Sequence, residues 1–231
     1  MTMLTVTVTG CSGGDESLTP LAQIAVEQSA PAENAIDQVE PAVALSTAID
    51  TMESTGSYRV SGTTLAGSAI DISFKVGVGS TGTVSTGSPV TLVSSDGVIY
   101  VTGDPAVIGQ QVGADVDSTI AGKWLIIAPD SATGFAIFAD GRTFADAVLG
   151  TQGPAEMTGV KDVDGVPAVG LVFPETGGTL WVAASGEPLP LRFEEKGATA
   201  GAGVLTFGNF GDEVAVTPPA ADAVVDVTKT S

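Results

Sequence analysis

The chain has no histidine and one cysteine, Cys11, so its means of doing chemistry are 27 carboxylates, its hydroxyls, its backbone and 8 cations. Without histidine there is no Ser-His-Asp or Cys-His nucleophile and no imidazole-held metal, and one thiol cannot build a zinc cluster or an internal disulfide. The carboxylates fall into three suggestive groups. Asp162, Asp164 and Gly165 imitate the start of a calcium loop but lack the further oxygen ligands and the closing Glu, so a hairpin turn is expected. Asp115 and Asp117 read as a solvated loop or helix cap. Glu194-Glu195 reads as an exposed strand end, and a glycosidase carboxylate pair has the same look in sequence. Glycines 77, 79 and 82 give a loose GxG spacing with no helix to follow, which does not cradle phosphate. The expectation is a non-enzymatic protein that needs no cofactor and no metal.

Formal charge is −19, and the cations are scattered from Arg59 to Lys229. A phosphate backbone requires a positive stripe, so nucleic acid is not expected as a partner, nor is a polybasic grip on an anionic membrane. Acidity of this kind reads as solubility.

The elements that must position any site are mostly strands. Gly is abundant at 30 residues, Val, Thr and Ser are frequent, and long helix-forming runs are sparse. Residues 12–38 read as a flexible tether, and 39–231 as one domain. Glu40-Pro41 suits a helix start, and Val43, Leu45, Ala48, Ile49 and Met52 predict one apolar stripe on a helix running to about Ser54. Strand signals begin at Gly56-Ser57. Ile70, Ile72, Phe74, Val76 and Val78 alternate with polar or small residues, the pattern of a strand with one face in a core. Tight turns at Asp96-Gly97, Asp164-Gly165 and Gly177-Gly178 join successive strands, which must then be antiparallel. Gly62, Gly79, Gly170 and Gly203 fall within strands, where they permit curvature or reflect composition alone.

The stretch from Asp96 to Leu149 carries the most specific expectation. A strand after the Asp96-Gly97 turn gives way to a short helix opened by Asp104-Pro105, then to a strand centred on Trp124, a break at Pro129 and an amphipathic segment around Phe144. Residues 98–101 and 124–127 are apolar at every position, which predicts cover on both faces and an apolar cavity between sheet and short helices. The predicted wall is Val98, Tyr100, Trp124, Ile126, Phe135, Phe138, Phe144, Leu171 and Trp181.

Two resemblances extend this reading. Cys11 after Val8-Thr9-Gly10 resembles the lipobox of bacterial lipoproteins, and residues 1–11 read as a truncated signal because no basic or long apolar segment precedes the cysteine. The runs IYVTGDPAVIGQQVG, AGKWLIIAPDSATGFAIFADGRTFADAVLG, VDGVPAVGLVF, GGTLWVAASGEPLPLRFE and VLTFGNFGDEVAVTPP resemble secreted actinobacterial lipoproteins related to the mycobacterial LppX/LprG group. That resemblance implies an α+β, mostly antiparallel fold: a LolA/LolB-like open half-barrel with short helices plugging its concave face. It implies a cavity for a lipid or glycolipid ligand, transport or presentation in the cell envelope, and attachment to the cell membrane through lipidated Cys11. A monomer is expected. The alternative is an envelope protein of the same fold with a filled core and no ligand.

Overall fold

The computed structural model describes residues 31–112, 116, 121–127, 134–199 and 201–226. Cys11 with its lipobox-like surroundings, Asp115, Asp117 and Pro129 lie outside these residues.

Alternating sequences fold here as expected, into strands joined by glycine turns. Five form a meander: β1 (Ser57–Thr63), β2 (Ala69–Lys75), β3 (Gly79–Ser85), β4 (Pro89–Ser95) and β5 (Val98–Gly103). β6 (Trp124–Ile127) pairs antiparallel with β5 after the short helix α2 (Pro105–Val112). Then β7 (Glu156–Met157) and β8 (Lys161–Val163) both pair with β9 (Val166–Val172), and β10 (Thr179–Ala183), β11 (Pro190–Thr199) and β12 (Ala202–Gly208) follow as a second meander. Antiparallel pairing of β12 with β1 fuses the two meanders into one sheet, and β13 (Val224–Asp226) adds in parallel beside β6. Among the described residues the sheet has 13 strands and stays open, with β13 at one edge and β7 at the other. The fold is thus α+β, with a mostly antiparallel open sheet and a few short helices. Asp96 and Gly97, and again Asp164 and Gly165, all take positive φ (51°, 77°, 54° and 87°), the geometry that two-residue hairpins require.

One predicted strand is shorter than its pattern. Alternation through Val78 would have continued β2, but Gly77 turns at φ 71° and the Val78 N–H closes onto the Lys75 carbonyl at 3.0 Å, leaving Val78 45% exposed. The apolar pattern persisted across a turn that only glycine permits.

The helix α1 (Pro41–Ser54) begins on the proline, as expected. Its buried stripe is rotated from the predicted one: Ala44, Ala48 and Met52 are fully buried, Leu45 and Ile49 pack at its margin, and Val43 is exposed. Positions four apart share a face, and alanines there let the helix axis lie close to the sheet. Residues 32–38, expected as the end of a tether, pack onto the domain. The Asn34 side-chain amide donates to the carbonyls of Ala183 (3.0 Å) and Gly186 (3.1 Å), and Ile36 inserts into the core, so residues 32–38 are fastened to the end of β10.

The chain after β12 continues past the start of β1, where the Gly211 N–H meets the Ser57 carbonyl at 2.9 Å and the Ser57 hydroxyl donates to the Asp212 carbonyl at 2.5 Å. It passes beside Gly79 of β3, where Val216 lies 3.2 Å from the position a Cβ would take, and reaches β6 as β13. Among the described residues no helix is long and apolar enough to cross a membrane.

Candidate functional site

The core lies between one face of the sheet and a cover made of helix α1, whose Ala44, Ala48 and Met52 enter it, and a plug of shorter pieces. The plug comprises a 3-10 turn at Ala136–Phe138, helix α3 (Gly141–Ala145) and a π-helical turn at Asp146–Gly150. Asp140 starts α3 from an extended conformation. Its carboxylate accepts from the N–H groups of Arg142 (2.7 Å) and Thr143 (3.4 Å) and from the Thr143 hydroxyl (3.2 Å), which satisfies donors that a helix start leaves open.

Two sheet hydroxyls catch the plug. The Tyr58 hydroxyl donates to the Gly141 carbonyl at 2.6 Å, and the Ser80 hydroxyl donates to the Phe138 carbonyl. Between them runs a chain of rings: Tyr58 to Phe74 at 5.0 Å between centroids, Phe74 to Phe144 at 5.0 Å, and Phe144 to Phe138 at 6.0 Å. At the plug's outer side Arg142 Nε donates to Glu53 Oε2 at 2.9 Å, which ties α3 to α1. Burial pushes the Tyr58 phenol far above its ordinary range, and the negative charges of Glu53 and Asp140 push it the same way. Ser94, opposite Ser80 in register, has a buried hydroxyl with no partner among the described residues.

The nine predicted wall residues do not form one wall. Phe135, Phe138, Phe144 and Leu171 lie in the core with the sheet's inner residues. Val98, Tyr100, Trp124 and Ile126 are half-buried on the opposite face, because their neighbours Ile99, Val101, Leu125 and Ile127 occupy the core. Side chains alternate across a strand, so a run apolar at every position does not reveal which set points inward. Trp181 also faces outward, since Leu180 and Val182 point in. It packs with Val163 and Ala168, lies over Gly170, where a Cβ would sit 2.8 Å from its ring, and carries the Lys161 ammonium 3.4 Å from its ring centroid.

Sequence reasoning missed Tyr58, Ser80 and Gly141 as the residues that join sheet to plug. Tyr58 and Val60 alternate with Arg59 and Ser61, a pattern that puts Tyr58 on a buried face, but nothing in sequence pairs it with Gly141, 83 positions away. Ser80 lies in Gly-Ser-Thr-Gly-Thr, where a buried serine carries no signal.

The carboxylates are engaged elsewhere. Asp162 Oδ1 accepts from the Gly165 N–H at 2.9 Å and Asp164 is paired with Arg192, so that loop is a hairpin turn. Glu194 meets Arg192 at 3.5 Å, whereas Glu195 Oε2 accepts from the Leu65 N–H at 2.6 Å, so this pair serves separate partners. Among the described residues no group of three or more acidic or thiol side chains could hold a metal ion.

One cavity, of about 380 Å³, lies between the start of the C-terminal segment (Asn209, Asp212, Glu213, Val214) and Tyr58, Arg59, Asp71 and Ser73. Here Arg59 donates to both carboxylate oxygens of Asp71, at 2.7 and 2.6 Å, and these bonds hold the Asp71 carboxyl below its usual range. A second, of about 340 Å³, is bounded by Leu65, Gln152, Thr176, Gly178, Phe193, Glu195 and Lys196. The chain matches no protein-family model and no curated protein in sequence.

Proposed function

We propose that this is an extracytoplasmic binding protein, anchored to the membrane through lipidated Cys11, whose LolA-like half-barrel holds a lipid or another apolar ligand between sheet and plug. The observation that carries the reading is the construction of the plug. A broad apolar sheet face is covered by short helical pieces caught by sheet hydroxyls at Tyr58 and Ser80, with apolar rings between. An acyl chain entering the seam would exchange ring contacts for methylene contacts. The driving force is removal of apolar area from water, about 25 cal/mol per Å². Specificity follows from the shape of the seam. The reading is non-enzymatic and monomeric, uses no cofactor or metal, and has the ligand carried or presented in the cell envelope.

The full chain secreted from an actinobacterial host, measured by native mass spectrometry and then extracted with solvent, tests it. A reproducible added mass that resolves into lipid is expected. A bare protein mass, with no uptake of fluorescent fatty acid or glycolipid, overturns it in favour of an envelope protein with a filled core. That second reading is favoured by the unbroken ring contacts from Tyr58 to Phe138, all at 3% exposure or less.

A further inference from the structure

In a chain of net charge −19, each cation has many carboxylates to choose from. Arg59, Arg142 and Arg192 are held by carboxylates, Lys161 lies on Trp181, and Lys123 reaches the Asp222 carbonyl. Lys75 and Lys196 form no ion pair with any described residue, and of the two Lys196 borders a cavity.

The surroundings of Lys196 are already spent. Gln152 donates to the Val148 carbonyl at 2.6 Å and accepts from the Thr176 hydroxyl at 2.7 Å, and Glu195 holds the Leu65 N–H. The aliphatic stem of Lys196 lies on Gly177, where a Cβ would come within 2.5 Å of its Cδ, so the stem is seated while the residue as a whole remains exposed. The same cavity is also lined by Phe193, a core residue whose ring packs against Gly178 and faces Phe173 at 6.5 Å. An uncommitted ammonium and a core ring in one lining make an amphipathic cavity.

We infer that Lys196 receives the anionic headgroup of an amphiphile whose chain passes Phe193 toward the core. The assignment rests on the apolar-ligand reading above and names its ligand class: a long-chain molecule with a singly charged head, carboxylate or phosphodiester. The field of the whole chain repels a free anion, so an anion needs apolar attraction to remain here. The neighbouring Glu195 disfavours a doubly charged head, and an ammonium is a compact three-donor charge that suits either oxyanion.

Equilibrium dialysis of the full, delipidated chain with hexadecanoate and hexadecan-1-ol tests it, on wild type, Lys196→Gln and Lys196→Arg. The acid is expected to bind about 5- to 20-fold more tightly than the alcohol, the increment of one charge-assisted hydrogen bond at a partly wet site. Lys196→Gln brings acid binding down to the level of the alcohol and so abolishes the preference, and Lys196→Arg keeps most of it. Acid and alcohol binding equally in wild type would leave the apolar-ligand reading standing and overturn the role of Lys196. Binding of neither would overturn both. Displacement of hexadecanoate by millimolar inorganic phosphate would make this a free-anion pocket and overturn the amphiphile. Matching thermal melts of the three proteins establish that the variants fold.

Discussion

The Tyr58 hydroxyl and the Gly141 carbonyl meet at 2.6 Å in the buried seam between sheet and plug, the strand-borne donor reaching a carbonyl in the first turn of α3. Glycine leaves room for the ring, since a Cβ at position 141 would stand 2.8 Å from Tyr58 Cε1.

Tyr58→Phe keeps the ring and removes the donor. It leaves the Gly141 carbonyl with its place in the α3 ladder but without the sheet donor, and should cost about 1 kcal/mol, the net worth of one neutral hydrogen bond. Gly141→Ala overfills the same contact and should cost ~1–3 kcal/mol. Urea denaturation of both variants measures this. An unchanged midpoint for Tyr58→Phe would mean that the seam opens enough for water to replace the hydroxyl.

The same phenol sets an alkaline limit. Its folded pKa is raised, so its contribution is complete below the unfolded value of about 10 and is lost as pH rises above it. The unfolded chain ionises there while the folded one does not, and each pH unit above about 10 should remove up to ~1.4 kcal/mol. Thermal melts between neutral and strongly alkaline pH should show the loss in wild type and a shallower loss in Tyr58→Phe.

Arg59 and Asp71 predict a weaker effect of opposite sign. The Asp71 pKa is depressed, first by the hydrogen bonds from Arg59, so its contribution is present above the ordinary carboxylate value of about 4 and is lost as pH falls through the folded value. The side chains are 43% and 50% exposed, which holds the pair to about 0.2–1 kcal/mol, less in salt. Asp71→Asn melted at neutral pH in low and high salt should reproduce that small, screened difference.

The split between Trp124 and Leu125 shows how far the sequence could be read. Strand order within each meander, the hairpins at Asp96-Gly97 and Asp164-Gly165, and the start of α1 at Pro41 all follow from local chemistry: period two, positive φ and a proline at a helix start. Facing did not follow where a strand is apolar on both sides, because only pairing across β5 and β6 decides it. The β1–β12 pairing and the attachment of Asn34 to Ala183 join residues 141 to 149 positions apart, and no local pattern encodes them. Trp124 drew the eye by size, whereas the inward residue is its smaller neighbour. Leu125→Ala should therefore cost about 2–5 kcal/mol as a core truncation. Trp124→Ala, on the half-buried outer face, should cost clearly less. Equal losses in chemical denaturation would mean that the outer face of β6 is buried more deeply than its exposure indicates.

Phe144 separates the ligand-bearing seam from a filled core. Its ring is fully buried between Phe74 and Phe138, so in the delipidated protein Phe144→Ala removes both contacts and leaves a void, at a cost of about 3–5 kcal/mol. A sealed core has no route for anything to fill that void, and the loss is then the same with or without lipid. If the plug shifts to admit an acyl chain, the vacated volume enlarges the site, and saturating ligand stabilises the variant by RT ln(1 + [L]/Kd). Thermal melts of wild type and Phe144→Ala across a hexadecanoate titration distinguish the two. A lipid-dependent rise in Tm that is larger in the variant places the acyl chain beside residue 144. A constant deficit leaves Phe144 as core packing and moves the ligand, if one binds, away from this part of the seam.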